Sequence, residues 1–451
     1  MRCAISHWDS RTNAFAGVAE AGNLPNGSDT MSRPFLLFRS SLAAHTDGSN
    51  RSRARTLAYY VVGSLLTIGV LFGATELVTR TVSWATGDGF TLALHELDAY
   101  DPGIERIYQF HPFTGFMFRP NSIVEGSAPG QQHKSVVRVD AYGFLSKDGQ
   151  LSLHKGNDEI RIAVIGASTT ANLQLSYEEN WPGRLGALLE RALPNKTIRV
   201  INAALPGFDT AQSVANLALR VMPFRPDVVI IYHAYNDLKA IRADRQFLPD
   251  YSHIHRLPYG YHDKPPFYVG LLNRSMFYVR MRNRYRAMAQ VSALTDDSRS
   301  NVVPEAAEHA FEQHIRAMVA IARSGGAKAV LSSFATLHDP GLANTGNSSA
   351  PQLSRLQQRE FYSLLHFTPG LTLSAIFNGI SRYNAVLHKV ATAEKTGWVD
   401  NAILVPHEDE YFVDRVHFSA KGAARMADNF LPVVLQQLQQ KPTRVAAGEH
   451  D

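Results

Sequence analysis

The sequence holds one cysteine, Cys3, in 451 residues, which excludes an intrachain disulfide and any zinc or iron–sulfur centre built on several thiols. Cysteine usage therefore says nothing about the redox compartment. No nucleic-acid-binding motif stands behind the formal net charge of +5; arginines crowded into the N-terminal tail inflate that figure. No glycine-rich turn ends in Gly-Lys-Ser/Thr, so a nucleotide-binding P-loop is not indicated. Internal repeats are absent too. A composition of 45% hydrophobic and 19% charged residues suits a globular chain with room for one large domain and accessory segments.

Charge is also missing from Leu57 to Thr75, a stretch that at ~1.5 Å per helical residue reaches roughly the 30 Å of bilayer hydrocarbon. Residues 56–76 are read as a single membrane helix. Residues 1–55 are rich in Ser, Arg, Asn and Gly and cannot bury enough surface to offset ordering entropy, so a disordered tail is expected there. A second short disordered tail is expected over residues 441–451, and Met31 is an alternative start. Arg51, Arg53 and Arg55 precede the apolar run and predict a cytoplasmic N-terminus with the bulk of the chain across the membrane; Arg80 on the far side weighs slightly against this. A cleaved signal peptide would need a very long n-region and lacks a clean small-x-small site. A buried core helix is the blandest alternative.

Residues 77–155 mix aromatics and turn formers and predict a juxtamembrane region with some strands packed beside the main domain. From Arg161 the rhythm changes. Short apolar runs at 162–165, 198–201, 228–232, 329–331 and 398–399 alternate with helical patterns such as Leu185, Leu188, Leu189 and Ala192, or Phe311, Ile315, Met318 and Ile321. Such alternation implies a parallel sheet covered on both faces, here a three-layer α/β/α sandwich with five parallel strands over residues 156–440. Two long stretches, 240–303 and 338–380, interrupt it; their aromatic content favours ordered lids.

Ligands of an open parallel sheet bind beyond the carboxyl ends of its strands, so the residues after each run matter most. Gly166-Ala167-Ser168-Thr169-Thr170 follows the first: a serine at a strand-to-helix turn can present its hydroxyl as a nucleophile, or simply cap a helix. After the second run, Gly207 offers a backbone N–H open to close approach by an oxyanion, or a tight turn before a helix capped by Asp209 or Thr210. His233-Ala234-Tyr235-Asn236-Asp237 follows the third. There the Asn236 amide could donate to an oxyanion without carrying charge, although Asn-Asp is also a common turn pair, and His233 is read as a satisfied structural histidine. Near the C-terminus Asp414-Arg415-Val416-His417-Phe418-Ser419 precedes an apolar-periodic helix that Ser419 could cap. His417 can then enter a cleft with Asp414 orienting it, or the two form a surface ion pair.

Serine, glycine, asparagine and aspartate-histidine, in that order beside strand ends, resemble the SGNH or GDSL-type hydrolases. The resemblance covers about residues 105–438 and includes Pro112-Phe-Thr-Gly115, Trp181-Pro182, Pro226-Asp227 and Tyr383-Asn384; Glu76 and Arg80 resemble anchored bacterial members. It implies a flavodoxin-like sheet, catalysis by Ser168, Asp414 and His417, and an oxyanion hole of Ser168, Gly207 and Asn236. It implies no metal and no cofactor. The expected activity is cleavage or transfer of an acyl group on an envelope glycan or lipid ester, at the outer face of a bacterial inner membrane. A polysaccharide O-acyltransferase and a silent glycan-binding scaffold are the alternatives. One position departs from the family pattern: Ala167 stands where Gly-Asp-Ser would place aspartate, which removes a polar group beside the serine.

Overall fold

Runs of β-branched and aliphatic residues that are apolar on both faces form the centre of one sheet. The computed structural model describes residues 48–86, 90, 92, 103–126, 135–242, 246–255, 266–292, 299–339 and 354–440. In chain order its strands are β1 (Tyr108–His111), β2 (Gly115–Phe118), β3 (Ile123–Gly126), β4 (Ser135–Val139), β5 (Leu145–Ser146), β6 (Glu159–Gly166), β7 (Thr197–Asn202), β8 (Val228–Tyr232), β9 (Lys328–Ser332) and β10 (Gly397–Val399). The five expected runs lie in β6 to β10, and these pair in parallel in the order β10-β9-β8-β6-β7. All of Val228–Tyr232 is buried, as a strand covered on both faces requires.

The sheet is wider than the sequence pattern suggests. Residues expected to pack beside it instead hydrogen-bond onto its edge: β5 pairs antiparallel with β7 through Leu145 and Asn202, and β4 and β3 follow. Side chains of β4 alternate buried and exposed, the mark of a strand with one solvated face. β1 and β2 form a separate hairpin.

The helices are α1 (Gly48–Ala85), α2 (Ile104–Ile107), α3 (Ser168–Ala171), α4 (Trp181–Ala192), α5 (Thr210–Asn216), α6 (Phe267–Leu272), α7 (Met276–Ser292), α8 (Glu305–Ser324), α9 (Arg355–Phe367), α10 (Leu373–Ala393), α11 (Asn401–Leu404) and α12 (Ala420–Gln439). On one face of the sheet α4 packs with α12, where Trp181 stacks on Phe430 at 4.9 Å. On the other α8 packs with α5 and α10, and Phe311 stacks on Tyr383 at 4.2 Å. The two stretches expected as inserts contain α6 and α7, and α9 with the start of α10. Tyr259 and Tyr261 of the first, both expected disordered tails apart from residues 48–55, and Cys3 lie outside the described residues.

The chain divides into two units, residues 1–66 and 67–451. The helix segment Ser52–Ala85 is long and apolar enough to cross a membrane. Its apolar side chains are exposed, Leu65 and Val70 among them. The helix outruns the span 56–76 at both ends: residues 48–55, expected in the tail, and 77–85 are helical. Charged ends do not stop a helix that lacks proline, and the Glu76–Arg80 pair at 2.6 Å supports its last turns. Within the second unit, Glu76 accepts from Ser275 Oγ (2.7 Å) and from the backbone N–H groups of Met276 (2.8 Å) and Phe277 (3.0 Å). It thereby satisfies the first-turn donors of α7 from another helix.

Candidate active site

β6 ends at Gly166, where no larger residue fits: a Cβ would lie 2.1 Å from Thr170 Oγ1. The chain turns at Ala167 and enters α3 at Ser168, which is half-buried at the carboxyl end of the central strand. After β7, Gly207 adopts φ +89°, a left-handed conformation that glycine takes without steric cost, and it is exposed. The helix that follows is capped by Asp209, as one of the two expected caps. Its carboxylate accepts from Gln212 N at 3.0 Å and Gln212 returns a bond to the Asp209 N–H.

After β8 the chain winds into a 3-10 turn, Tyr235–Ala240. Asn236 donates from Nδ2 to the Phe208 carbonyl at 2.7 Å; this fixes the amide while its second N–H remains available. Asp237 ties the same turn to α5, accepting from Thr210 N at 3.0 Å and from Thr210 Oγ1. Burial first, then the nearby Asp209 charge, pushes the Asp237 carboxyl up to about 7. His233 is the satisfied structural histidine expected: it is buried, Nε2 meets Ser213 Oγ at 2.8 Å, and burial holds its imidazole down to about 4.

The C-terminal motif folds as a tight turn before α12. Asp414 Oδ1 accepts from the backbone N–H groups of Val416 (2.9 Å) and His417 (2.8 Å), while Oδ2 meets His417 Nδ1 at 2.7 Å. Burial pushes this carboxyl up, but the charge and hydrogen bond of His417 more than offset that and hold it well below the usual carboxylate range. Ser419 caps α12 by accepting from Gly422 N at 3.2 Å. The other ring nitrogen of His417, Nε2, is buried and has no hydrogen-bond partner among the described residues.

Ser168, Gly207, Asn236 and His417 line a single cavity of about 200 Å³. Asp414 stands behind His417, out of that lining, and Ala167 contributes a methyl beside Ser168. The five residues singled out by type and order are thus brought to one place. Three others that line the cavity had no individual signal in the sequence: Lys239, Phe367 and Arg415. Phe367 comes from the second long insert and stacks on Tyr235 at 5.0 Å. Arg415 lies 4.8 Å from its ring centroid and Lys239 Nζ 3.5 Å from it. Arg415 also donates to Tyr235 Oη at 3.0 Å. Among the described residues no group of His, Cys, Asp or Glu could hold a metal ion.

The model of the GDSL-like Lipase/Acylhydrolase family matches residues 164–425, a span that contains all five of these residues. No match was found among curated protein sequences. Among solved structures, a variant of an acetyl xylan esterase from Geobacillus stearothermophilus is 15% identical, over 63% of this chain and 97% of that one, with a TM-score of 0.36. A GDSL-like lipase from Bacteroides thetaiotaomicron is 13% identical over 63% and 92%, with a TM-score of 0.34. A lipase/acylhydrolase from Enterococcus faecalis is 17% identical over 63% and 99%, also at 0.34.

Proposed function

From the premise that the chain belongs to the GDSL-like lipase/acylhydrolase family, we propose that it is a serine esterase in which Ser168 is the nucleophile, His417 the base and Asp414 the group that orients it. One observation carries this reading. His417 has Nδ1 held by Asp414 at 2.7 Å, while Nε2 has no hydrogen-bond partner among the described residues and the residue borders the cavity that Ser168 lines. An imidazole held through Nδ1 keeps the lone pair of Nε2 free to take a serine proton.

The steps follow from that arrangement. Ser168 Oγ attacks the acyl carbon as His417 Nε2 takes its proton, and the charge that develops on the carbonyl oxygen is met by the N–H groups of Ser168 and Gly207 and the Asn236 amide. His417 returns the proton to the departing alkoxide. The acyl-enzyme then passes its acyl group to water, whose proton returns through the same ring. Ionised Asp414 stabilises the imidazolium formed at each transfer.

The cavity is small and bordered by Tyr232 and Phe334, which supports a short acyl group. The long apolar helix supports attachment to a membrane, and Arg51, Arg53 and Arg55 before its apolar stretch support a cytoplasmic N-terminus with the catalytic unit outside a bacterial inner membrane. Ester groups of envelope glycans or lipids are then the substrates within reach.

A second reading, acyl transfer to a glycan hydroxyl, is favoured by a second cavity of about 480 Å³ that shares Gly207, Asn236 and Lys239 with the first and could hold an acceptor. Supplying the purified protein with an acyl ester, with and without acceptor glycan, separates the two. Acetate release without acceptor is expected of the esterase; acyl transfer to the glycan with no hydrolysis in the acceptor-free arm would replace it by the transferase. No turnover in either arm, together with turnover in neither Ser168→Ala nor wild type, would leave the silent glycan-binding scaffold.

A further inference from the structure

Lys239 places a cation in the cleft without a counter-ion. Its half-buried side chain comes from the same 3-10 turn as Asn236 and lines both cavities. Its ammonium lies over the face of Phe367 at 3.5 Å and has no hydrogen bond or ion pair with any described residue. Arg415 faces the same ring, yet it is committed: it donates to Tyr235 Oη and lies 3.6 Å from the buried Glu360 carboxylate of α9. One positive charge therefore remains uncompensated at the junction of the two cavities. Holding it there is costly. Burial and, after it, the Arg415 charge push the ammonium down to about 7, against the pull of Asp209 and Asp237. A half-buried cation of this kind is stabilised by an anion brought in from outside.

We propose that Lys239, backed by Arg415, is an anion subsite that selects esters whose alcohol portion carries a carboxylate, as in an acylated acidic glycan. The inference rests on the reading of Ser168 as nucleophile and adds to it the class of substrate. The charge balance argues for a monoanion, because among the described cations lining the two cavities Lys239 alone has no ion-pair partner, and the second cavity presents the carboxylates of Asp209 and Asp250, which repel a dianion. That cavity favours a hydroxyl-rich chain over a lipid. Gln212 and the His255–Asp209 pair, 2.6 Å apart, offer hydrogen bonds, and the exposed ring of Phe113 offers a flat apolar platform. Binding a carboxylate beside Lys239 favours its charged form, so the preference for the acidic substrate weakens as pH rises above neutrality.

The test compares kcat/KM of the full chain in detergent on acetylated galacturonate oligosaccharides, acetylated cello-oligosaccharides of equal length and monoacyl phosphatidylglycerol. Wild type should favour the galacturonate ester over the neutral one at least tenfold. Lys239→Gln should cut that ratio about ten- to hundredfold, chiefly through KM, and Lys239→Arg should restore most of it. A ratio that Lys239→Gln leaves intact overturns the proposal, as does a preference for the phosphodiester lipid over both glycans. Calorimetric binding of a galacturonate trisaccharide to the Ser168→Ala protein reads the subsite without turnover. If Lys239→Gln weakens that binding while no ester is cleaved by wild type, the anion subsite stands and the esterase reading fails; binding indifferent to Lys239→Gln removes the subsite.

Discussion

Replacing Asp414 by asparagine tests the His417 arrangement most sharply, because it exchanges one oxygen for an NH2 group and changes almost no volume. Asp414 Oδ1 can still accept the N–H groups of Val416 and His417 at 2.9 and 2.8 Å, so the turn before α12 should survive. Those bonds leave the new NH2 group in the place of Oδ2, facing His417 Nδ1 across 2.7 Å. A donor there forces Nδ1 to accept, which puts the ring proton on Nε2 and leaves no lone pair for the serine proton. The negative charge that stabilises the imidazolium is lost as well. Interchange of this kind costs about four orders of magnitude in kcat, or about 5.5 kcal/mol of transition-state stabilisation at about 1.4 kcal/mol per decade. Hydrolysis of 4-nitrophenyl acetate under saturating conditions measures it, with thermal unfolding as a check on the fold. An Asp414→Asn enzyme that folds and keeps more than a tenth of wild-type kcat would refute the proton path through His417.

Removing the Asn236 amide by Asn236→Ala should lower kcat about a hundredfold, or about 3 kcal/mol, with a smaller change in KM, since it acts on charge that forms only in the transition state; equal losses of ground-state binding and rate would contradict this. Gly166→Ala puts a methyl 2.1 Å from Thr170 Oγ1 and should lower Tm and soluble yield, which circular dichroism would detect. His233 titrates at about 4 in the fold and near 6.5 when unfolded, so the unfolded chain binds its proton first. Its contribution to stability is full above about 6.5 and falls as pH drops toward 4, by at most about 3 kcal/mol. His233→Gln should accordingly flatten the urea-denaturation profile between pH 6.5 and 4, and an unchanged slope would count against the burial of a neutral ring.

The five parallel strands were legible because strands buried on both faces leave unbroken apolar runs, as Val228–Tyr232 does. The edge was not: β5 is two residues long and joins β7 through a single paired position, Leu145 with Asn202, too little for a periodic signal. The membrane-helix reading had the opposite fault. Counting charge-free residues marks the apolar stretch, whereas α1 continues through Glu76 and Arg80, whose polar groups meet each other and α7. In the cleft, Ser168, Gly207, Asn236, Asp414 and His417 were visible because each sits in the short segment that follows an apolar strand run or precedes the last helix. Lys239, Phe367 and Arg415 were not, since they meet only when α9 closes over the turn at Tyr235. Local spacing carries no trace of that packing.

The central claim is that Ser168 is a nucleophile activated by His417. Treating the full chain with a fluorophosphonate and mapping the adduct by peptide mass spectrometry tests it directly. The account predicts one covalent phosphonyl group on Ser168, formed far more slowly in His417→Ala and absent in Ser168→Ala. Modification at another serine, or labelling at Ser168 that proceeds at the same rate without His417, would contradict it.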